Sequence, residues 1–356
     1  MCPIKLIVAA VVFALFAETA SAGPFTRLWV FGDSNVDTGW YKVTPWSGSN
    51  IFDTYFQQSS TYGFGKPTTN PGTISVQVLA RILGLHARPA NQGGTNYATG
   101  GARNHDVNFS GSGLFPNAVP TETQIDNYVV THTPNGNALY VITSGDNDVN
   151  FALNNPNNQF GNPAVQANQE AYVIDAANTL ANKIASVQAN NNVKYIIVTK
   201  LAESFGTPAL KMQLRADYNA ALKGQLDSLN VEYAWADVNS VRQQVNANPT
   251  KFGINSLYLT NASGQRACTD PVTGPDPNLA ISSGWAFLCS PTSPVSTPIS
   301  SAIANEAMFA DDGHFATGGQ RIIGSYYYCL AKKTWPQLFT MGPAHIPPIA
   351  CGKFSP

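Results

Sequence analysis

A serine two residues past a glycine marks the most reactive-looking part of this chain, Phe31-Gly32-Asp33-Ser34-Asn35-Val36-Asp37-Thr38-Gly39. It directly follows the apolar run Arg27–Phe31. Glycine permits a sharp strand-to-helix turn there, and a helix N-terminus turns N–H groups toward negative charge. Ser34 on such a turn is a candidate nucleophile, although Asp, Ser and Asn are also ordinary helix caps. Near the other end, Phe309-Ala310-Asp311-Asp312-Gly313-His314 offers a base. Asp311 and His314 are three apart and share a face on a helical turn, so the carboxylate can hold one imidazole nitrogen while the other faces a nucleophile. Asp312 is the rival carboxylate. Two further runs hold donors for a developing oxyanion: the glycine pair ending Gly94–Ala102, and Asn147 within Ser144-Gly145-Asp146-Asn147-Asp148. The latter run is oxygen-dense, but it lacks the EF-hand spacing calcium would require. His86, His132 and His345 read as surface or packing residues, and His105 lies close enough to the glycine pair to line a site.

Something must hold these distant runs together. Arg27–Phe31, Ala138–Thr143, Val193–Thr199 and Val231–Ala236 are apolar enough to be buried strands. Between and after them, Ser75–Leu83, Glu122–Val130, Ala167–Ala189, Ala209–Leu229 and Gly318–Leu330 pattern as helices; in the third, Ile174, Leu180, Ile184 and Val187 recur on one face. Alternating strands and helices imply a parallel sheet covered on both sides, with functional groups in loops beyond the carboxyl ends of the strands. Trp40–Gly72 and Asn246–Met308 lack regular patterning, and loops of that length usually build a site or its walls. The aromatics Trp40, Tyr41, Trp46, Phe52, Tyr55, Phe56, Tyr62 and Phe64 could wall an acyl groove, stack on sugar rings, or simply pack their own loop.

The whole chain of 356 residues is 44% apolar and 12% charged, enough for one large core, and its formal net charge of −1 leaves no basic stripe for nucleic acid. Lys5, the apolar run Leu6–Phe16 and Ala20-Ser21-Ala22 read as a signal peptide over residues 1–22, too short in its apolar part to span a bilayer. Residues 23–356 are then expected to form a single domain, exported to a periplasmic or extracellular compartment. Cys2 leaves with the signal, and an even set remains: Cys268, Cys289, Cys329 and Cys351. None has metal-site spacing, so disulfides are expected. Three pairings are open; the local one, Cys268–Cys289 with Cys329–Cys351, closes the shortest loops. Asn108 and Asn261 head Asn-x-Ser/Thr sequons.

Taken in order, the four runs resemble the SGNH (GDSL) hydrolase family. Phe31–Gly39 is similar to its F-G-D-S-x-x-D-x-G block, Asn96–Ala102 to N-[FY]-A-x-G-G-A, Gly145–Asp148 to G-x-N-D, and Asp311–His314 to D-x-x-H. Softer matches are Leu201–Pro208 and Tyr218–Leu222. Asn35 departs where the family name has Leu, as do Phe315, where Pro is common, and Ala310, where Trp is frequent. The resemblance implies a three-layer α/β/α sandwich on a central, mostly parallel five-stranded sheet of the flavodoxin-like type. It implies a secreted carboxylic-ester hydrolase, an esterase or lipase, working through an acyl-enzyme. Ser34 is then the nucleophile, His314 the base and Asp311 its orienting carboxylate. The Ser34 N–H, the Gly101 N–H (or Gly100's) and the Asn147 amide form the oxyanion hole. No cofactor or metal is implied, and the expected partner is a small-molecule or lipid ester met by a monomer. Phospholipase or acyltransferase action and carbohydrate deacetylation are alternatives on the same fold; a binding module that kept the scaffold is a further one. No G-x-S-x-G elbow favours the α/β-hydrolases. The resemblance extends to passenger domains of esterase autotransporters, but without a C-terminal barrel pattern the chain is not expected to be an autotransporter itself.

Overall fold

The computed structural model describes residues 23–44, 55–104, 117–154, 163–203, 208–262, 264–269, 286–340 and 342–355. The leader over residues 1–22, Trp46, Phe52, His105, Asn108 and residues 204–207 lie outside them.

Four strands form one parallel sheet in the order β1 (Arg27–Gly32), β2 (Ala138–Thr143), β3 (Tyr195–Thr199) and β4 (Ala234–Ala236). Their apolar residues run consecutively because both faces are covered. Leu28, Val30, Leu139, Val141 and Ile197 face a core shared with helices α1 (Ser75–Ile82), α6 (Val238–Ala247) and α8 (Thr317–Thr334). Trp29, Phe31, Tyr140, Ile142, Ile196 and Val198 face the opposite core. That core is built with α2 (Thr121–Thr131), α3 (Asp146–Asn154), α4 (Pro163–Asn191) and α5 (Ala209–Ser228). A short helix, α7 (Ser301–Glu306), lies near the last block. The three layers are those expected. On α4 the buried stripe runs through Val173, Ala177, Leu180 and Ile184, whereas Ile174 is 38% exposed, so the apolar face sits one residue from where Ile174 would put it.

The expected fifth strand is not a strand among the described residues. Residues 95–99 do run parallel beside β1, with Val30 N–H donating to Thr95 O (3.1 Å), Tyr97 N–H to Val30 O (2.8 Å) and Thr99 N–H to Gly32 O (3.0 Å). The ladder breaks because the Gln124 side chain takes its place: Gly32 N–H donates to Gln124 Oε1 (2.8 Å) and Gln124 Nε2 to Gly32 O (2.9 Å). Counting this segment as second in the chain gives the order 2-1-3-4-5, whose switch point lies beside β1 and opens a crevice at the carboxyl ends of the strands. Two disulfides close as the local pairing anticipates, Cys268–Cys289 and Cys329–Cys351. No helix among the described residues is long and apolar enough to cross a membrane.

Gly32 ends β1 with φ +140°, and a methyl group there would lie 1.9 Å from the Thr143 carbonyl oxygen. Gly32→Ala is therefore expected to cost at least about 2 kcal/mol, from strain at positive φ plus overpacking against rigid backbone. Urea unfolding measures it; a midpoint equal to the parent's would show that β1 can leave the sheet by another path.

Candidate active site

Beyond Gly32 the chain makes one helical turn rather than the anticipated helix. Asp33 N–H donates to Thr143 O (3.1 Å), and Val36 and Asp37 N–H both donate to Asp33 O (3.2 and 3.1 Å). Ser34 sits on this turn, and no hydrogen bond engages its hydroxyl among the described residues. Asn35 uses its amide where a leucine would only pack: its backbone N–H and Nδ2 both donate to Asp33 Oδ1 (2.9 Å each). Asp33 Oδ2 is buried and has no hydrogen-bond partner among the described residues. Burial pushes the Asp33 carboxyl up to about 7, with the charge of Asp146 adding to the rise. Asp37 ties the turn to the glycine pair, since its Oδ1 accepts from Gly39 and Trp40 N–H (2.7 and 2.8 Å) and its Oδ2 from Gly100 N–H (2.9 Å). Burial pushes Asp37 up to about 6 against those donors. Asn96 makes a second tie, donating from Nδ2 to Val36 O (2.7 Å).

Those contacts separate the two glycines. Gly100 spends its N–H on Asp37. Gly101, at φ +82°, donates its N–H to no acceptor among the described residues, which leaves it the freer donor of the two. The third block begins α3 instead of forming only a turn. Gly145, with φ +119°, leads into it, and a Cβ there would strike the Tyr218 ring at 2.3 Å. Asn147 stands in the first turn of α3, where one Nδ2 proton goes to Ala102 O (3.0 Å) and the other remains available. Asp148 accepts the Asn104 N–H (3.2 and 3.1 Å), and Asn104 in turn bonds Ser144 Oγ (2.6 Å) and Tyr218 Oη (2.7 Å).

The last block is a bend, not a helical turn. Phe309 and Phe315 form an antiparallel bridge, Ala310 N–H donates to His314 O (2.8 Å), and the chain between folds over Asp311. Asp311 Oδ1 accepts Gly313 and His314 N–H (2.9 and 2.7 Å), Oδ2 accepts Ala286 N–H (2.8 Å), and His314 Nδ1 lies 3.0 and 2.9 Å from the two oxygens. With Nδ1–H donating to the carboxylate, Nε2 is the free ring nitrogen. Asp312 is exposed and makes no side-chain bond to the imidazole. Burial works against the imidazolium, but the charge and hydrogen bond of Asp311 outweigh it, holding His314 above the ordinary 6.5. Burial likewise opposes the Asp311 carboxylate, and the charge and hydrogen bond of His314, with the backbone donors, hold it below the usual range. The Phe287 ring stands edge-on to the imidazole at 5.6 Å.

Ser34, Asn147 and His314 line one cleft of about 380 Å³ at the carboxyl ends of the strands, together with Asn35, Thr143 and Thr199. Gly101 is buried but is not part of that lining. The described aromatics of the 40–64 stretch do not line it either. Tyr41, Phe56 and Phe64 pack with Phe287, Leu288 and Val295 into a small core, so packing of their own loop is what the structure favours. Sequence reasoning missed Asn104, Gln124 and Ala286, whose roles arise only from tertiary contact, and it missed the cleft cations Lys211, Arg215 and Arg242. His86, His132 and His345 lie outside the cleft.

The imidazole shift has a direct readout. In NMR titration of the ring, His314 is expected to release its proton above pH 6.5, and the midpoint to fall in Asp311→Asn, which keeps the shape and removes the charge. A midpoint unmoved by that substitution would contradict the pairing.

The chain is matched over residues 28–326 by the family profile described as GDSL-like lipase/acylhydrolase. It is 26% identical to esterase EstA of Pseudomonas aeruginosa, over 93% of this chain and 51% of that protein. It is 25% identical to an uncharacterized protein from the trpE-trpG intergenic region of Pseudomonas putida, over 93% of this chain and 53% of that protein. Acetylajmalan esterase 2 of Rauvolfia serpentina is 29% identical over 48% of this chain and 53% of its own. The chain thus spans about half the length of these curated relatives. With the family profile covering most of its length and residues of three of the four matching blocks lining one crevice, the chain belongs to the GDSL-like lipase/acylhydrolase family.

Proposed function

We propose that this chain is an exported carboxylic-ester hydrolase that acts through an acyl-enzyme on Ser34. The observation that carries the reading is the Asp311–His314 pair, whose partly buried imidazole lines the same cleft as Ser34. An unassisted serine hydroxyl is a poor nucleophile near neutrality, so it needs a base. His314 Nε2 takes the Ser34 proton as Oγ attacks the ester carbonyl, and Asp311 stabilises the imidazolium that results. The tetrahedral oxyanion is met by the N–H groups of Ser34 and Gly101 and by the second Nδ2 proton of Asn147. Collapse expels the alcohol, which receives the proton from His314; water then repeats the sequence on the acyl-serine. Export is supported by the leader pattern in residues 1–22 and by the two disulfides.

Hydrolysis of p-nitrophenyl acetate, butyrate and octanoate tests the reading. Parent activity is expected, with its loss in Ser34→Ala; a retained rate would remove Ser34 from the mechanism. Asn147→Ala is expected to lower kcat by about a hundredfold or more, the usual effect of losing one oxyanion donor, while its unfolding midpoint stays near the parent's. Because neutral His314 is the base, kcat/KM is expected to rise with pH through a limb centred above 6.5. A limb centred on an ordinary carboxylate value would point to another base.

A further inference from the structure

The cleft carries more positive charge than the ester chemistry requires. Lys200, Lys211, Arg215 and Arg242 line it against two carboxylates, Asp146 and Asp312. Lys200 is already matched outside the lining, with its ammonium 3.2 Å from Glu203 and 3.6 Å from Asp237. Asp146 is taken by Arg215, whose Nε and Nη2 both lie 2.8 Å from one of its oxygens, while Asp312 is exposed at the rim and screened by water. Lys211 and Arg215 are four apart on α5 and therefore share the face turned to the cleft. Lys211 makes no hydrogen bond or ion pair among the described residues, although it is partly buried. Arg242 comes from α6, is only 7% exposed, and holds its guanidinium 4.9 Å above the Phe309 ring, which fixes its position beside the last block. Burial alone would raise Asp146, yet the charges of Arg215, Lys211 and Arg242 hold its carboxyl below the usual range, so the three cations act on one place. Asp146 is already engaged by Arg215, and holding the Lys211 ammonium in a half-dry wall is costly unless a further anion completes it.

We propose, resting on the ester-hydrolase reading, that Lys211, Arg215 and Arg242 form a subsite for a negatively charged group of the substrate. That group is a carboxylate or a phosphate carried on the same molecule as the scissile ester. The Lys211 ammonium supplies a compact charge with rotatable donors, and the guanidinium groups supply planar forks suited to two oxygens at once. The subsite selects anionic esters and orients them toward Ser34, without taking part in bond making or breaking.

Two matched pairs test this. Mono-4-nitrophenyl glutarate against 4-nitrophenyl valerate compares a carboxylate with a neutral end of the same length. Dihexanoyl phosphatidic acid against dihexanoylglycerol does the same for a phosphate. In at least one pair the parent enzyme is expected to favour the anionic member by about tenfold or more in kcat/KM at low salt, and the pair showing the preference assigns the group. The preference is expected to shrink in 0.5 M NaCl, to drop about tenfold in Lys211→Ala, and to persist in Lys211→Arg. Hydrolysis of the neutral esters with no anionic preference in either pair would overturn the subsite alone, as would a preference unchanged by Lys211→Ala in a variant that unfolds like the parent. No hydrolysis of any of the four esters would overturn the ester-hydrolase reading and the subsite with it.

Discussion

A buried carboxylate that collects four N–H groups is the constraint on which this site depends. Asp311 is fully buried, and it remains ionised because Gly313, His314 and Ala286 backbone N–H groups and the His314 ring all donate to it. Removing any of these leaves charge in a dry place, which is expensive. The surrounding chain is organised around keeping them. Ala267 and Cys268 N–H donate to Phe309 and Ala310 O (2.9 and 3.0 Å), laying the segment before the first disulfide along the histidine bend. Cys268–Cys289 then links that segment to the turn that offers the Ala286 N–H. The small residues Ala267, Ala286, Ala307, Ala310 and Ala316 let these backbones approach closely. Ala310 is one of them, so one of the three departures from the family pattern falls at a position where this packing requires a small side chain.

The Ser34 half of the crevice is held by a different device. Parallel strands deliver chain ends to one rim, but a rim alone does not fix a serine. Asp37 and Asn96 each reach across between the turn after β1 and the segment 95–102, so the two blocks are tied to each other twice. Below them, Asn104, Ser144, Asp148 and Tyr218 form a buried polar network that joins the glycine pair to the start of α3. Satisfied networks of this kind rigidify what they connect. Phe287 joins the two halves, with its ring edge-on to His314 and packed against Tyr41.

Much of this was legible from residue order because the elements obey simple periodicities. The strands were visible as uninterrupted apolar runs, which double burial demands, and α1, α2, α4, α5 and α8 as longer patterns between or after them. What escaped notice had local signals pointing elsewhere. Asp146 to Asn154 is dense in Asp and Asn, which favour turns, yet the acids in its first turn also suit a helix N-terminus. In α6 the buried stripe is Val238, Val241 and Val245, valines that read as readily for strand as for helix; the Asp237 cap, accepting Ser240 N–H at 2.9 Å, was the available clue. The fifth strand failed because one side chain, Gln124, competes for its ladder, a contact across 92 positions that no local pattern encodes. The choice between Gly100 and Gly101 likewise depended on Asp37. Lys211, Arg215 and Arg242 arrive from two helices and carry no common motif, so only folding brings them together.

The central claim is that His314 and Asp311 activate Ser34, and the rate of covalent modification by a fluorophosphonate tests it without assuming any substrate. Peptide mapping after reaction is expected to find the adduct on Ser34, with the second-order rate constant falling by about a thousandfold or more in His314→Ala, since the hydroxyl then lacks its base. An adduct on another residue, or a rate undiminished without the imidazole, would contradict it.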